Sequence, residues 1–280
     1  MTHRPSLAYQ NHDFLDADEG RPVRILAEYL EPLARFKREQ IHDTVVFFGS
    51  ARLTEDGPLG RYYREARELA RLLTEWSKTL PGCCRFAVCS GGGGGIMEAA
   101  NRGAADAGGQ SIGLNIGLPY EQRPNPYISP ELSFEFHYFF MRKLWFAHLA
   151  RALVVFPGGF GTLDELSEVL TLSQTRKLDR NINIILYGSE YWREVLNLDA
   201  LVRHGMIDAA DLRLFQWADD PQSALGILKH ELPREERPET PAFAKSMGSE
   251  RPAAHPAHVC STVNDRPYGS TGDRPSGSTH

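Results

Sequence analysis

Ala152-Leu153-Val154-Val155-Phe156-Pro157-Gly158-Gly159-Phe160-Gly161-Thr162-Leu163-Asp164-Glu165-Leu166 is the stretch whose reading decides the fold. Its first five residues are an unbroken apolar run, the pattern of a strand buried on both faces. From Leu163 through Leu166, Val169 and Leu170 the apolar spacing turns helical. A glycine-rich turn joins the two. Strand, glycine turn and helix N-terminus together leave backbone N–H groups unpaired at the positive end of a helix dipole, which suits an anion. Glu165 falls in the first helical turn, so it sets a carboxylate beside that anion, and the dipole there favours the ionised form. Phosphate and carboxylate side by side point to an enzyme for a phosphorylated metabolite.

Outward from this stretch, strand and helix patterns alternate. Upstream come a leading helix over Val23–Gln40, a strand Thr44–Phe48 and an amphipathic helix Leu59–Leu80 with Tyr62, Ala66, Leu69, Leu73 and Trp76 on one stripe. A strand Arg85–Cys89, a helix from Ile96 to about Ala107, strands Ser111–Ile116 and Leu132–His137, and a helix over Phe140–Ala150 follow. Downstream of the Leu163–Thr175 helix lie a strand Asn183–Tyr187, a single helix Glu190–Val202 and a strand Leu214–Trp217. Asp220 caps a last helix running to about His230. Strands spaced by helices with right-handed crossovers make a Rossmann-like, doubly wound, mostly parallel sheet with helices on both faces. Residues 1–21 are polar and read as a flexible leading segment, 22–232 as the single catalytic domain. Residues 233–280 are rich in Pro, Gly, Ser and Thr without periodicity and read as a disordered tail.

Composition narrows the function. The 280 residues carry a net charge of −5, so there is no basic footprint for nucleic acid. No run reaches the length of a membrane span, and the polar N-terminus lacks the apolar segment of a signal peptide. The four cysteines (Cys83, Cys84, Cys89, Cys260) show no C-x-x-C spacing and read as free thiols of a cytoplasmic protein. The ten histidines, His255 and His258 among them, form no metal-binding pattern, so neither metal nor cofactor is expected.

Three predicted strand ends carry turns that would share one sheet edge: Gly49-Ser50-Ala51-Arg52, Ser90 through Gly95, and Pro157 through Thr162. One such turn is ordinary βα chemistry. Three together, one with five consecutive glycines, point to a ligand cleft where a bound molecule approaches the backbone. A dinucleotide fingerprint fails on spacing, because the third glycine would fall at Ile96, Met97 or Asp164. No G-x-x-x-x-G-K-[ST] occurs either. Arg142 and Lys143 open the helix after the fourth strand, at the same edge, where a guanidinium can pair with a phosphate or a carboxylate. Glu98 and Arg52 lie at that edge too, each equally readable as a dipole or surface charge.

Pro157-Gly158-Gly159-Phe160-Gly161-Thr162-Leu163-Asp164-Glu165 with the upstream Arg142-Lys143 pair resembles the LOG (LONELY GUY) family, cytokinin riboside 5′-monophosphate phosphoribohydrolases formerly mislabelled lysine decarboxylases. The resemblance runs from about Thr44 to Leu228. It implies hydrolysis of the N-glycosidic bond of a nucleoside 5′-monophosphate, an N6-modified AMP or AMP itself. The products would be free base and ribose 5-phosphate. It also implies Glu165 and Arg142 as catalytic residues, with Lys143 assisting. Gly158, Gly159, Gly161 and Thr162 would hold the 5′-phosphate, with Gly49, Ser50, Gly92 and Gly93 lining the same cleft. Thr171 and Glu121 match positions that contact substrate in relatives, and a homodimer or higher homo-oligomer is implied, with the site near the interface. Asp164 stands where glutamate is more usual, and Ser90 opens a turn that more often starts with threonine. The competing expectation is a non-hydrolytic carrier of a nucleotide or a molybdopterin-type cofactor on the same fold.

Overall fold

The computed structural model describes residues 7–81, 85–117, 123–178 and 181–232. By backbone contacts the chain separates into Met1–Glu236 and Arg237–His280, and every described residue belongs to the first unit. Glu121, Cys83, Cys84, Cys260, His255, His258 and the tail expectation for 233–280 lie outside the described residues.

The chain runs α1 (His12–Asp16), α2 (Arg21–Arg38), β1 (Asp43–Phe48), α3 (Gly60–Lys78), β2 (Phe86–Ser90), α4 (Ile96–Asp106) and β3 (Ser111–Ile116). It continues through β4 (Ser133–Phe136), α5 (Phe139–Leu149), β5 (Ala150–Val155), α6 (Phe160–Gln174) and β6 (Asn183–Tyr187). The last elements are α7 (Ser189–Val195), α8 (Leu198–Arg203), β7 (Phe215–Ala218) and α9 (Pro221–Glu231). The seven strands form one sheet in the order β4-β3-β2-β1-β5-β6-β7. Every neighbouring pair is parallel, so the sheet is parallel throughout, not merely for the most part.

Alternation along β1 shows why the strands read as continuous apolar runs. Val46 and Phe48 face one core, with residues of α2, α5, α6 and α7; Val45 and Phe47 face another, with α3, α4 and α9. Side chains of a strand point to opposite faces in turn, so a sheet covered on both sides needs apolar residues at every position. The order reverses between β1 and β5. In a doubly wound sheet the crevice outside the carboxyl ends of those two strands is where ligands bind.

Element boundaries differ from the sequence expectation in three places. Residues 7–20 carry short helical pieces, fixed by the Asn11 side chain accepting from the Phe14 N–H and by Arg24 donating to the carbonyls of Leu15 and Ala17. The helix expected over Glu190–Val202 is broken at Leu196, where the backbone is extended and the Asn197 side chain caps a new helix through the Ala200 N–H. Most consequentially for the site, α6 begins at Phe160 and not at Leu163, so the last part of the glycine turn is already helix. Asp220 caps α9 as expected, accepting from the N–H groups of Gln222 and Ser223. No described helix is long and apolar enough to cross a membrane.

Candidate active site

The three glycine turns meet at the switch point. The Ser50 N–H donates to the carbonyl of Pro157 at 3.0 Å, and the Ile96 N–H donates to the carbonyl of Ser50 at 3.1 Å. The turn after β1 is thus clamped between the turns after β5 and β2. Ser50 acts there through its backbone and through its hydroxyl, which accepts from the Arg52 N–H, and a Cβ on Gly49 would lie 2.7 Å from the Ile96 side chain.

The five-glycine run has a different cause from the one its composition suggests. Gly92 and Gly95 have positive φ (75° and 64°), and a Cβ on either would lie within about 2.2 Å of protein atoms: the Asn115 amide for Gly92, the Ser50 carbonyl for Gly95. Asn125 then ties the run down, its side-chain amide donating to the carbonyls of Gly92 and Gly93 and to Asn101 Oδ1. Ser90 Oγ accepts from the Gly92 N–H and donates to Asn101 Oδ1. Protein packing and buried hydrogen bonds account for Gly92 and Gly95 without any approach of a ligand to the backbone.

In the turn after β5 the opposite holds for Gly159 and Gly161. A Cβ at either would meet nothing within 4 Å. Gly159 is the N-cap of α6 and offers no capping side chain, and the first intrahelical bond there is Leu163 N–H to the Gly159 carbonyl. The N–H groups of Phe160, Gly161 and Thr162 therefore have no partner within the helix. Phe160 stands 93% exposed between the two glycines. Beneath them, the Gly158 carbonyl accepts a 2.7 Å hydrogen bond from the Tyr191 hydroxyl on α7. Next to Tyr191, the Trp192 indole N–H donates to the carbonyls of Val155 and Tyr187, which fixes the end of β5.

One turn into α6, Glu165 Oε1 lies 3.2 Å from Arg142 Nη2, and their side chains are only 15% and 12% exposed. Burial pushes the Glu165 carboxyl up to about 7, with Arg142 and Lys143 opposing and Asp164 and Glu168 adding to the rise. This corrects the expectation that the helix N-terminus keeps it ionised: α6 starts three residues earlier, and desolvation outweighs the dipole. Burial also pulls Arg142 down from its ordinary value. Its guanidinium packs between the rings of Phe139 and Phe146, and its Nε is buried with no hydrogen-bond partner among the described residues. The pair thus combines a buried donor left over on Arg142 with a carboxyl held above its usual range, features that mark a candidate functional site. Buried Cys89, on β2, is also held above its usual value, chiefly by burial and secondarily by the Glu165 charge.

Lys143 does not reach into the open turn. Its Nζ is 2.6 Å from Asp164 Oδ2 and 3.1 Å from Glu168 Oε2, which straps α5 to α6 beside the Arg142–Glu165 pair. Thr162 is buried at the base of the turn. Thr171 is exposed two turns along α6, on the face of Asp164, and its hydroxyl donates to the Ser167 carbonyl; no hydrogen bond links it to Arg142 or Glu165. Glu98 accepts from the Tyr63 hydroxyl, and Arg52 lies exposed in its loop. Glu28, Tyr191 and Asn125, which fix the backbone around the pair, carry no motif and were invisible in the sequence because each acts on a residue at least 30 positions away.

The class defined by this fold and site is a doubly wound α/β protein with an open glycine turn at a helix N-terminus and a buried arginine–carboxylate pair at the switch point. A family model described as "Possible lysine decarboxylase" matches residues 97–228. The probable cytokinin riboside 5′-monophosphate phosphoribohydrolase LOG4 of Oryza sativa subsp. japonica is 28% identical over 194 residues, 68% of this chain and 78% of that protein. The cytokinin riboside 5′-monophosphate phosphoribohydrolase LOG2 of Arabidopsis thaliana is 25% identical over 206 residues, 73% of this chain and 88% of that protein. Among solved structures, the molybdenum cofactor binding protein of Rippkaea orientalis aligns at a TM-score of 0.47 and 16% identity, covering 68% of this chain and 96% of that one. The chain is similar to proteins of the LOG family, and those curated relatives are named as cytokinin riboside 5′-monophosphate phosphoribohydrolases.

Proposed function

We propose that the protein hydrolyses the N-glycosidic bond of nucleoside 5′-monophosphates, AMP or an N6-modified AMP, and releases the free base and ribose 5-phosphate. The observation that carries this reading is the buried Arg142–Glu165 pair one helical turn from an open, glycine-bordered helix N-terminus. The 5′-phosphate takes the N–H groups of Phe160, Gly161 and Thr162, with Gly159 and Gly161 leaving room for it and Gly158 packed against Thr162 below. That places the ribose over Glu165. As the C1′–N bond breaks, its electron pair leaves with the base and positive charge develops on the ribose ring. The ionised carboxylate stabilises that charge and takes a proton from the water whose oxygen bonds to C1′. This proton balances the one the departing base takes up. Arg142 lowers the Glu165 carboxyl against the effect of burial and keeps part of it ionised near pH 7. The phosphate supplies binding energy away from the reacting carbon and so positions it.

Lys143 belongs to this machinery through Asp164 and Glu168, while Gly49, Ser50, Gly92 and Gly93 shape the cleft wall. In this reading Thr171 and Glu121 also contact the substrate. The same reading includes a homo-oligomer in the cytoplasm. Its supports are the exposed Leu26, Leu30, Phe140 and Leu144 on α2 and α5, and the buried free thiol of Cys89. The test is to incubate pure protein with AMP and with N6-isopentenyl-AMP and to follow base and ribose 5-phosphate. Release from either supports the reading; tight nucleotide binding without release would make the protein a carrier instead.

A further inference from the structure

The helix that carries Arg142 cannot cap itself. Tyr138, the N-cap of α5, has no side-chain hydrogen bond to the first turn. A neighbouring helix provides the anion: Glu28, on α2, accepts from the His137 N–H at 2.7 Å and from the Tyr138 N–H at 3.3 Å with its two carboxylate oxygens. Three more contacts fix the same junction. The Trp145 indole N–H on α5 donates to the Glu28 carbonyl at 2.9 Å, Arg24 Nε donates to the Tyr138 hydroxyl at 3.2 Å, and the Arg21 guanidinium lies over the Tyr138 ring. The Tyr138 carbonyl in turn accepts from the N–H groups of Met141 and Arg142, so the residue whose N–H Glu28 holds is also the one whose carbonyl starts the first turn of α5.

We propose that Glu28 is a positioning residue for the reaction: by capping α5 from outside it sets where the Arg142 guanidinium meets Glu165. The inference rests on the assignment of Arg142 and Glu165 as the reacting pair. A carboxylate here does two things that a neutral side chain does not. It satisfies two backbone donors with two oxygens, and it sits at the positive end of the α5 dipole. Loss of that grip lets the first turn of α5 shift, and small misplacements of a catalytic group are costly. The charged and titratable groups around Glu165 are Arg142 and Lys143 from α5, Asp164 and Glu168 on α6 itself, and Cys89 from β2. Among them Arg142 is the foremost influence lowering the Glu165 carboxyl, so a displaced Arg142 has a titration signature.

The test uses Glu28→Gln in the full chain, with Ile25→Val as a packing control on the same helix. The Glu165 carboxyl is titrated by carbon-13 NMR, its resonance assigned by Glu165→Gln, and kcat and KM for AMP are measured alongside melting temperature. The expected result is that Glu28→Gln moves the Glu165 midpoint above the wild-type value and lowers kcat about tenfold with KM little changed. Ile25→Val is expected to lower the melting temperature without moving the midpoint. A Glu28→Gln protein with the wild-type midpoint and kcat, or with only a lower melting temperature, would overturn the proposal. Because the titration needs no substrate, it decides on Glu28 even if AMP turnover fails, which would count against the functional reading separately.

Discussion

The two glycine-rich turns that follow β2 and β5 look alike in sequence and are built for opposite reasons. After β2, Gly92 and Gly95 are glycine because the backbone is left-handed and protein atoms occupy the space a side chain would need. After β5, Gly159 and Gly161 have ordinary φ and empty space above them. The first turn is a joint, and the second leaves open the backbone that we propose as the phosphate receptacle. Glycine content marks both, and only the surroundings of each missing Cβ tell them apart.

The largest effect should come from the group that makes the receptacle reactive. Glu165→Gln is expected to cut the rate of base release by about 10²–10⁴-fold, the usual range for a positioned acid or base, with nucleotide binding retained. Titration calorimetry against AMP and a discontinuous base assay would show both. The same variant has a stability signature. The folded-state carboxyl sits above its ordinary 4.5, so the folded protein binds the proton more tightly than the unfolded chain does. That contribution is present in full below about pH 4.5 and lost as pH rises towards 7. Glu165→Gln should therefore gain stability over wild type at pH 8 and gain less at pH 4, measured by urea unfolding at the two pH values.

Next in size is the joint. Gly95→Ala sets a methyl against the Ser50 carbonyl in a left-handed backbone and should cost about 3 kcal/mol or more of stability. Smaller, and opposite in sign, is the response of the receptacle. Gly161→Ala lies in the first turn of α6, where alanine is the better helix former, and should leave stability unchanged or raise it by up to about 1 kcal/mol. KM for a 5′-phosphorylated substrate should nonetheless rise by about tenfold. A Gly161→Ala protein that binds AMP normally would break the contrast between the turns. The smallest effect is expected from Tyr191→Phe, which removes one hydrogen bond to the Gly158 carbonyl, worth about 1 kcal/mol. It should raise KM a few-fold and leave kcat alone.

Much of this molecule was legible in its sequence, for identifiable reasons. Strands buried on both faces are mostly apolar along their length, so β1, β2, β5 and β6 stood out, and their alternation with helices left a doubly wound parallel sheet as the natural topology. The Asp220 cap was readable because capping acts through residue type, while Arg142 was readable only as a partner for a phosphate or a carboxylate, and the structure sets it against Glu165. What escaped depends on where things lie in space. The start of α6 was set three residues late because Phe160-Gly161-Thr162 has glycine-turn composition yet helical geometry. The ionisation of Glu165 was misjudged because a local rule about helix dipoles says nothing of desolvation. That Lys143 is tied to Asp164 and Glu168 was not legible, because those partners sit on another helix. Glu28 and Asn125 act on backbone far away in the chain, and a single sequence carries no mark of such contacts.

The account stands most directly on the ionisation of Glu165. The decisive measurement is kcat/KM for release of adenine from AMP as a function of pH between 5 and 9. A rise through an apparent pKa of about 7 that disappears in Glu165→Gln is the predicted result. A profile flat across that range, or one that survives the substitution, would contradict the assignment of Glu165 as the reacting carboxylate.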